Sequence, residues 1–127
     1  MIQLTEAEWE IMKILWHNEN SSLSDIVRIA NDNGIPWAMN TVHTLLKRLI
    51  NKNAAVVDKS ISPHKYKSII DQQQCSVAEV KKLINRIYSG SISKMFSSLL
   101  SSESITEEEL LKLKRMIDDL GENKKGV

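Results

Sequence analysis

Val42, Leu45, Leu46, Leu49 and Ile50 recur at the i, i+3, i+4, i+7, i+8 spacing of a single helix face. At about 100° per residue, the opposite arc holds Asn40, His43, Thr44, Lys47, Arg48 and Asn51. No Asp or Glu occurs from Met39 to Lys52. Such a segment must bury one side in a core while leaving a cationic, hydrogen-bonding side in water. It predicts a helix from about Ala38 to Lys52.

The flanking segments narrow the architecture. Thr5-Glu6-Ala7-Glu8 has the form of a capping box and precedes an apolar-periodic run ended by Asn18 and Asn20. Ala7, Ile11, Ile14 and Leu15 share one face of that run, and Trp9, Met12 and Trp16 form a second stripe. The second stripe is expected to pack on helices near the C-terminus. Ser22-Leu23-Ser24-Asp25 is a second capping box, opening a short helix through about Asp32 that Gly34 and Pro36 close. After the third helix, Ala54–Lys59 is β-prone, Ser60–His64 breaks it, and Lys65–Ile70 alternates basic and apolar residues. The pair reads as a β-hairpin. Three helices followed by a hairpin is the order of a winged helix-turn-helix, so residues 1–71 are expected to form that domain.

From residue 72 to 127 the pattern is helical. Val80, Ile84, Ile87 and Tyr88 lie on one stripe with Val77 and Leu83. Met95, Phe96 and Leu99 continue it with Ile92 and Leu100 after the Ser89-Gly90-Ser91 interruption. Leu110, Leu113, Ile117 and Leu120 then repeat at near-heptad spacing up to Gly121, beyond which a frayed tail is expected. None of these helices can bury its stripe alone. A second copy of the chain would cover them, which makes this half a helical dimerisation domain. The fold class is thus mainly α with a small β-hairpin wing.

Charge separates along the chain. Residues 1–38 carry two basic residues against six acids, a balance of −4. Residues 39–67 carry Lys47, Arg48, Lys52, Lys59, Lys65 and Lys67 against Asp58 alone, a balance of +5, within a chain of net charge +1. A helix entering the major groove of DNA must offer donors and acceptors to base edges and cations to phosphates. Asn40 has the amide that pairs with adenine. Thr41 and Thr44 have hydroxyl and methyl groups, and Lys47 and Arg48 suit guanine or phosphate. Lys65 and Lys67 on the hairpin are placed for the flanking backbone or the minor groove. His43 reads equally as a contact and as an ordinary exposed side chain.

Two motifs carry a family likeness. Thr5-Glu6-Ala7-Glu8-Trp9-Glu10-Ile11-Met12-Lys13-Ile14-Leu15-Trp16 resembles the opening of the penicillinase-repressor family. Asn40-Thr41-Val42-His43-Thr44-Leu45-Leu46-Lys47-Arg48-Leu49 resembles its recognition helix, with Ala38 in place of the usual Ser cap. Asn85–Gly90 and Thr106–Leu113 are similar to segments of its dimerisation domain. The resemblance implies a homodimer that binds a palindromic operator in double-stranded DNA and represses genes of β-lactamase or antibiotic resistance. It also implies a sensor protease as partner, although Ser98-Leu99 stands where the antibiotic-responsive members are cut at Asn-Phe. The paired C-terminal cysteines of copper-responsive members have no counterpart here.

The remaining residues point to no chemistry. The lone Cys75 reads as an ordinary cysteine, and His17, His43 and His64 lack zinc-ligand spacing. No nucleophile elbow or phosphate loop is present, so neither an enzyme nor a bound cofactor or metal is expected. The acidic opening MIQLTEAEWE is unlike a signal peptide, and no apolar run is long enough to span a membrane; with the lone cysteine, these point to a cytoplasmic protein. Two other readings stay open at this point. One is a winged-helix module for a protein partner, and the other is a ligand-sensing regulator with a pocket between the halves.

Overall fold

Thr5 caps the first helix as its spacing to Glu8 requires. The Thr5 hydroxyl accepts from the Glu8 N–H at 3.2 Å, and the Glu8 carboxylate accepts from the Thr5 N–H at 2.8 Å. The same reciprocal box opens the second helix through Ser22 and Asp25. In the computed structural model, which describes residues 2–125, the elements are α1 (Glu6–His17), α2 (Leu23–Asp32), α3 (Met39–Asn51), β1 (Ala55–Asp58), β2 (Lys65–Ser68), α4 (Gln72–Tyr88), α5 (Ile92–Ser101) and α6 (Glu107–Lys125). The chain forms two compact units, Met1–Ser76 and Val77–Val127, divided within α4.

In the first unit, α1, α2 and α3 pack on one another, α1 also against β2 and α3 against β1. Ile11, Met12, Leu15, Ile26, Val42, Leu46 and Leu49 are fully buried at the centre. Removing that much aliphatic surface from water, at about 25 cal/mol per Å², is the main term holding three short helices together. Met12 therefore belongs to the same core as Ile11 and Leu15 rather than to a separate stripe. Trp16 is anchored within this unit, its indole N–H donating to the Ile70 carbonyl at 3.0 Å. It also meets Trp9 in a tilted pair with centroids 5.6 Å apart.

The strands pair antiparallel with Val57 opposite Tyr66 and Asp58 opposite Lys65. They are shorter than the β-prone runs: Ala54, Lys59, Ile69 and Ile70 lie outside them. Ser21 adds a third, one-residue rung. Its N–H donates to the Tyr66 carbonyl at 3.1 Å and its carbonyl accepts from the Tyr66 N–H at 2.8 Å. This rung fixes the hairpin against the α1–α2 connection.

In the second unit, Ile84 is the one buried apolar side chain among the described residues. The α6 helix runs through Gly121 to Lys125 instead of stopping at Gly121, since a glycine inside a helix costs only about 1 kcal/mol and need not end it. Gly126 and Val127, the end of the expected tail, lie outside the described residues. No helix among the described residues is long and apolar enough to cross a membrane.

Candidate nucleic-acid interface

The α2–turn–α3 segment positions the candidate site. Asn33 caps α2, and Gly34 follows at φ 86°, a left-handed position that suits glycine and reverses the chain. Asn31 braces the reversal. Its amide nitrogen lies 2.8 Å from the Val27 carbonyl, 3.1 Å from that of Trp37 and 3.3 Å from that of Ile35. Two N–H groups thus serve three carbonyls, one of them shared. Ala38 begins α3 without a side-chain cap, as its methyl group dictates, so this brace and the core set where the helix points.

Because Val42, Leu45, Leu46 and Leu49 face inward, Asn40, Thr41, Thr44, Lys47 and Arg48 are held outward and exposed. Neither Lys47 nor Arg48 forms an ion pair among the described residues, so both cations are available to a partner. The Thr44 hydroxyl donates to the Asn40 carbonyl at 2.9 Å. At rest it presents its methyl group and oxygen lone pairs rather than a free donor. His43 is half-buried and lines a cleft of about 350 Å³ with Ser24 of α2, His64 of the wing loop and Tyr66.

The basic residues that composition groups together are not equivalent in space. Lys67 is exposed on β2. Lys65 is partly covered and lies 4.0 Å from Asp25, which two Ser22 hydrogen bonds and Lys65 hold below the usual carboxylate range. Lys52 is partly covered and turned toward partners within the fold. Its ammonium lies 2.6 Å from the buried Glu8 carboxylate and 2.8 Å from the Gln3 carbonyl. Burial pushes the Glu8 carboxyl up, but Lys52 and the Thr5 hydrogen bonds together hold it below its ordinary value. Of the six basic residues in 39–67, Lys52 is therefore committed to a partner within the fold, because an unpaired buried carboxylate would cost more than a solvated lysine gains.

The candidate dimerisation residues divide similarly. Val80, Ile87, Ile117 and Leu120 are half or more exposed, at 50%, 55%, 68% and 58%, and Leu110 is exposed as well. Tyr88, Met95, Phe96, Leu99 and Leu113 are half-buried, whereas Ile84 is buried within its own unit. Leu111 and Met116 are exposed apolar residues that the near-heptad reading passed over, since they fall off its a/d positions. Asn31 and Ser21 were also passed over, because their bonds depend on how the turn and hairpin meet. Burial and Asp71 push the Cys75 thiol up, which disfavours a reactive thiolate. Among the described residues no cluster of three or more His, Cys, Asp or Glu is placed to hold a metal ion.

The family model for the penicillinase repressor matches residues 4–119. The chain belongs to the penicillinase repressor family. It is similar to the penicillinase repressor of Bacillus licheniformis, 25% identical over 123 residues that cover 97% of this chain and 95% of that protein. It is also similar to the methicillin resistance regulatory protein MecI of Staphylococcus aureus (strain N315), 24% identical over 119 residues, 91% of this chain and 94% of that protein. Among solved structures, Staphylococcus aureus MarR in complex with salicylate and kanamycin aligns with 97% of this chain and 75% of its own, with a TM-score of 0.51 and 13% identity. That likeness bears on fold, and it agrees with the winged-helix order seen here. This penicillinase-repressor relative therefore has the expected mainly α fold with a two-stranded wing.

Proposed function

We propose that this member of the penicillinase repressor family is a transcriptional repressor that binds a palindromic operator as a homodimer and controls resistance-type genes. The observation that carries the reading is the outer face of α3. It bears Asn40, Thr41, Thr44, Lys47 and Arg48, has no acid from Met39 to Lys52, and leaves both of its cations unpaired among the described residues. Lys67 on the wing extends the positive surface, with His43 at its margin and Lys65 shared with Asp25. Lys47 and Arg48 would engage base edges or phosphates of the major groove, and Lys67 the adjoining backbone. Two-fold symmetry then places two copies of α3 about one helical turn apart on DNA, or a small multiple of that. A protein partner is the weaker reading, since this face lacks the aromatic anchors that dominate protein interfaces.

The dimer reading rests on the second unit. An element with one buried apolar residue and exposed Val80, Ile87, Leu110, Leu111, Met116, Ile117 and Leu120 has too little internal core to be stable alone. A sensor protease is the partner the resemblance adds. Ser98-Leu99 lies within α5, and a protease that takes an extended substrate would require that helix to unwind first.

Fluorescence anisotropy with the duplex from upstream of the protein's own gene and with a scrambled duplex, at two salt concentrations, tests the function. Selective binding that weakens steeply with salt is expected, because each neutralised phosphate contributes about −0.9 to the log–log slope. Equal weak binding to both duplexes would refute operator recognition for that sequence. Binding without salt dependence would refute the proposed interface.

A further inference from the structure

A second cavity shares no lining residue with the DNA-facing arc. It is an open groove of about 670 Å³ between the start of α1 and the α2–α3 turn. Trp9 and Ala7 wall one side, and Ile35 and Trp37 wall the other. Glu6, Glu10 and Lys13 form its rim. Its volume is that of a small-molecule site, and it brings two tryptophans to one groove. Trp9 is braced by its tilted contact with Trp16, and the Trp37 carbonyl and N–H are bonded to Asn31 and Ile35. Lys13 is paired with Glu10 at 3.1 Å, while Glu6 has no ion pair among the described residues. The groove is thus aromatic inside and net negative at its edge.

We infer that this groove binds a lipophilic organic cation, with the tryptophan faces taking the cationic body and Glu6 and Glu10 its charge. Indole faces attract cations through their quadrupole, and carboxylates at the rim favour a cation over a neutral molecule of the same shape. A carboxylate ligand would meet the wrong sign at the rim. A neutral apolar ligand would gain nothing from the acids. The wall residue Trp37 directly precedes Ala38, and α3 begins there with no side-chain cap. A bound cation therefore presses on the segment that sets the direction of α3. Its effect on operator affinity rests on the DNA-binding reading, whereas binding in the groove does not.

Tryptophan fluorescence of the full, DNA-free chain, titrated with tetraphenylphosphonium and in parallel with uncharged triphenylphosphine oxide, decides the site. Saturable quenching is expected from the cation, about tenfold tighter than from the neutral molecule. The double variant Glu6→Gln/Glu10→Gln is expected to weaken it at least about fivefold, with the melting temperature lowered by only a few degrees because the lost Lys13 pair and first-turn acid are solvent-exposed. Equal response to both molecules, or wild-type affinity in the folded double variant, would overturn the site. Anisotropy of the operator duplex at saturating cation then tests the coupling. A change of at least about threefold in Kd is expected, and the duplex must shift the cation's Kd by the same factor. An unchanged Kd would overturn the coupling. A duplex that fails to bind even without cation would count against the repressor reading and leave the groove's own test standing.

Discussion

The Lys52 ammonium lies 2.6 Å from the Glu8 carboxylate, tying the residue that ends α3 to the first turn of α1 across 44 positions of sequence. The Glu8 side chain is wholly enclosed and its second oxygen, Oε2, has no partner, while Lys52 keeps about a third of its surface in water. The pair joins the helix proposed to read DNA to the helix that carries the core. Its removal is therefore a stability experiment rather than a binding one.

Lys52→Ala strands a buried carboxylate and should cost about 2–3 kcal/mol, below the full value for a completely buried pair because Lys52 is partly solvated. Urea denaturation should show the midpoint falling with little change in slope. The double variant Glu8→Gln/Lys52→Met should recover part of the loss. A single variant as stable as wild type would show that the carboxylate is hydrated in solution.

Acid should destabilise the protein through Glu8 and two further carboxylates, Asp25 held by Ser22 and Asp58 by Ser60. Glu8, Asp25 and Asp58 all have folded pKa values held below their ordinary ones, 4.5 for Glu8 and 3.8 for the two aspartates. A depressed folded value adds stability that is present above the unfolded pKa and lost as pH falls through the folded one. The melting temperature should therefore be flat near neutrality and fall below about pH 4.5. In Glu8→Gln that acid-side fall should be shallower. A fall of the same steepness would remove Glu8 from the account.

Lys47→Ala and Arg48→Ala should each reduce operator affinity with melting unchanged. The salt slope should become shallower by about 0.9 for each phosphate that the variant no longer neutralises. Lys52→Met, read at a temperature where it stays folded, should leave the slope as it is. A reduced slope for the Lys52 variant would show that this lysine leaves Glu8 when DNA binds.

Asn31→Ala removes the donor shared among the Val27, Ile35 and Trp37 carbonyls. The site is exposed, so water replaces part of the loss and destabilisation of about 1 kcal/mol is expected. Operator affinity should drop more than that stability change alone explains, because the turn directs α3. Comparing anisotropy with thermal melting separates the two effects.

Ile117→Asp places a charge on a side chain that is 68% exposed in the single chain. If α6 pairs with a second copy, light scattering at micromolar concentration should move from twice the chain mass of 14.5 kDa to a single chain. The wild type running as a monomer would refute the dimer directly.

Much of this architecture can be read from local pattern. Thr5/Glu8 and Ser22/Asp25 specify helix starts because their hydrogen bonds close within four residues. The Val42–Ile50 periodicity specifies which side of α3 is buried, and hence that Asn40, Thr44, Lys47 and Arg48 face out. Both follow from helix geometry alone. What tertiary structure decided are the contacts whose partners lie far apart in sequence. Lys52 looks like another cation of a basic segment until folding places Glu8 beneath it. Met12 looks like part of a second stripe until folding buries it in one core with Ile11 and Leu15. Ser21 becomes a strand rung only when Tyr66 arrives beside it. The Trp9–Trp37 groove forms only because α1 and the α2–α3 turn meet. Local spacing encodes which face a residue occupies, but the identity of its distant partner depends on how the faces pack.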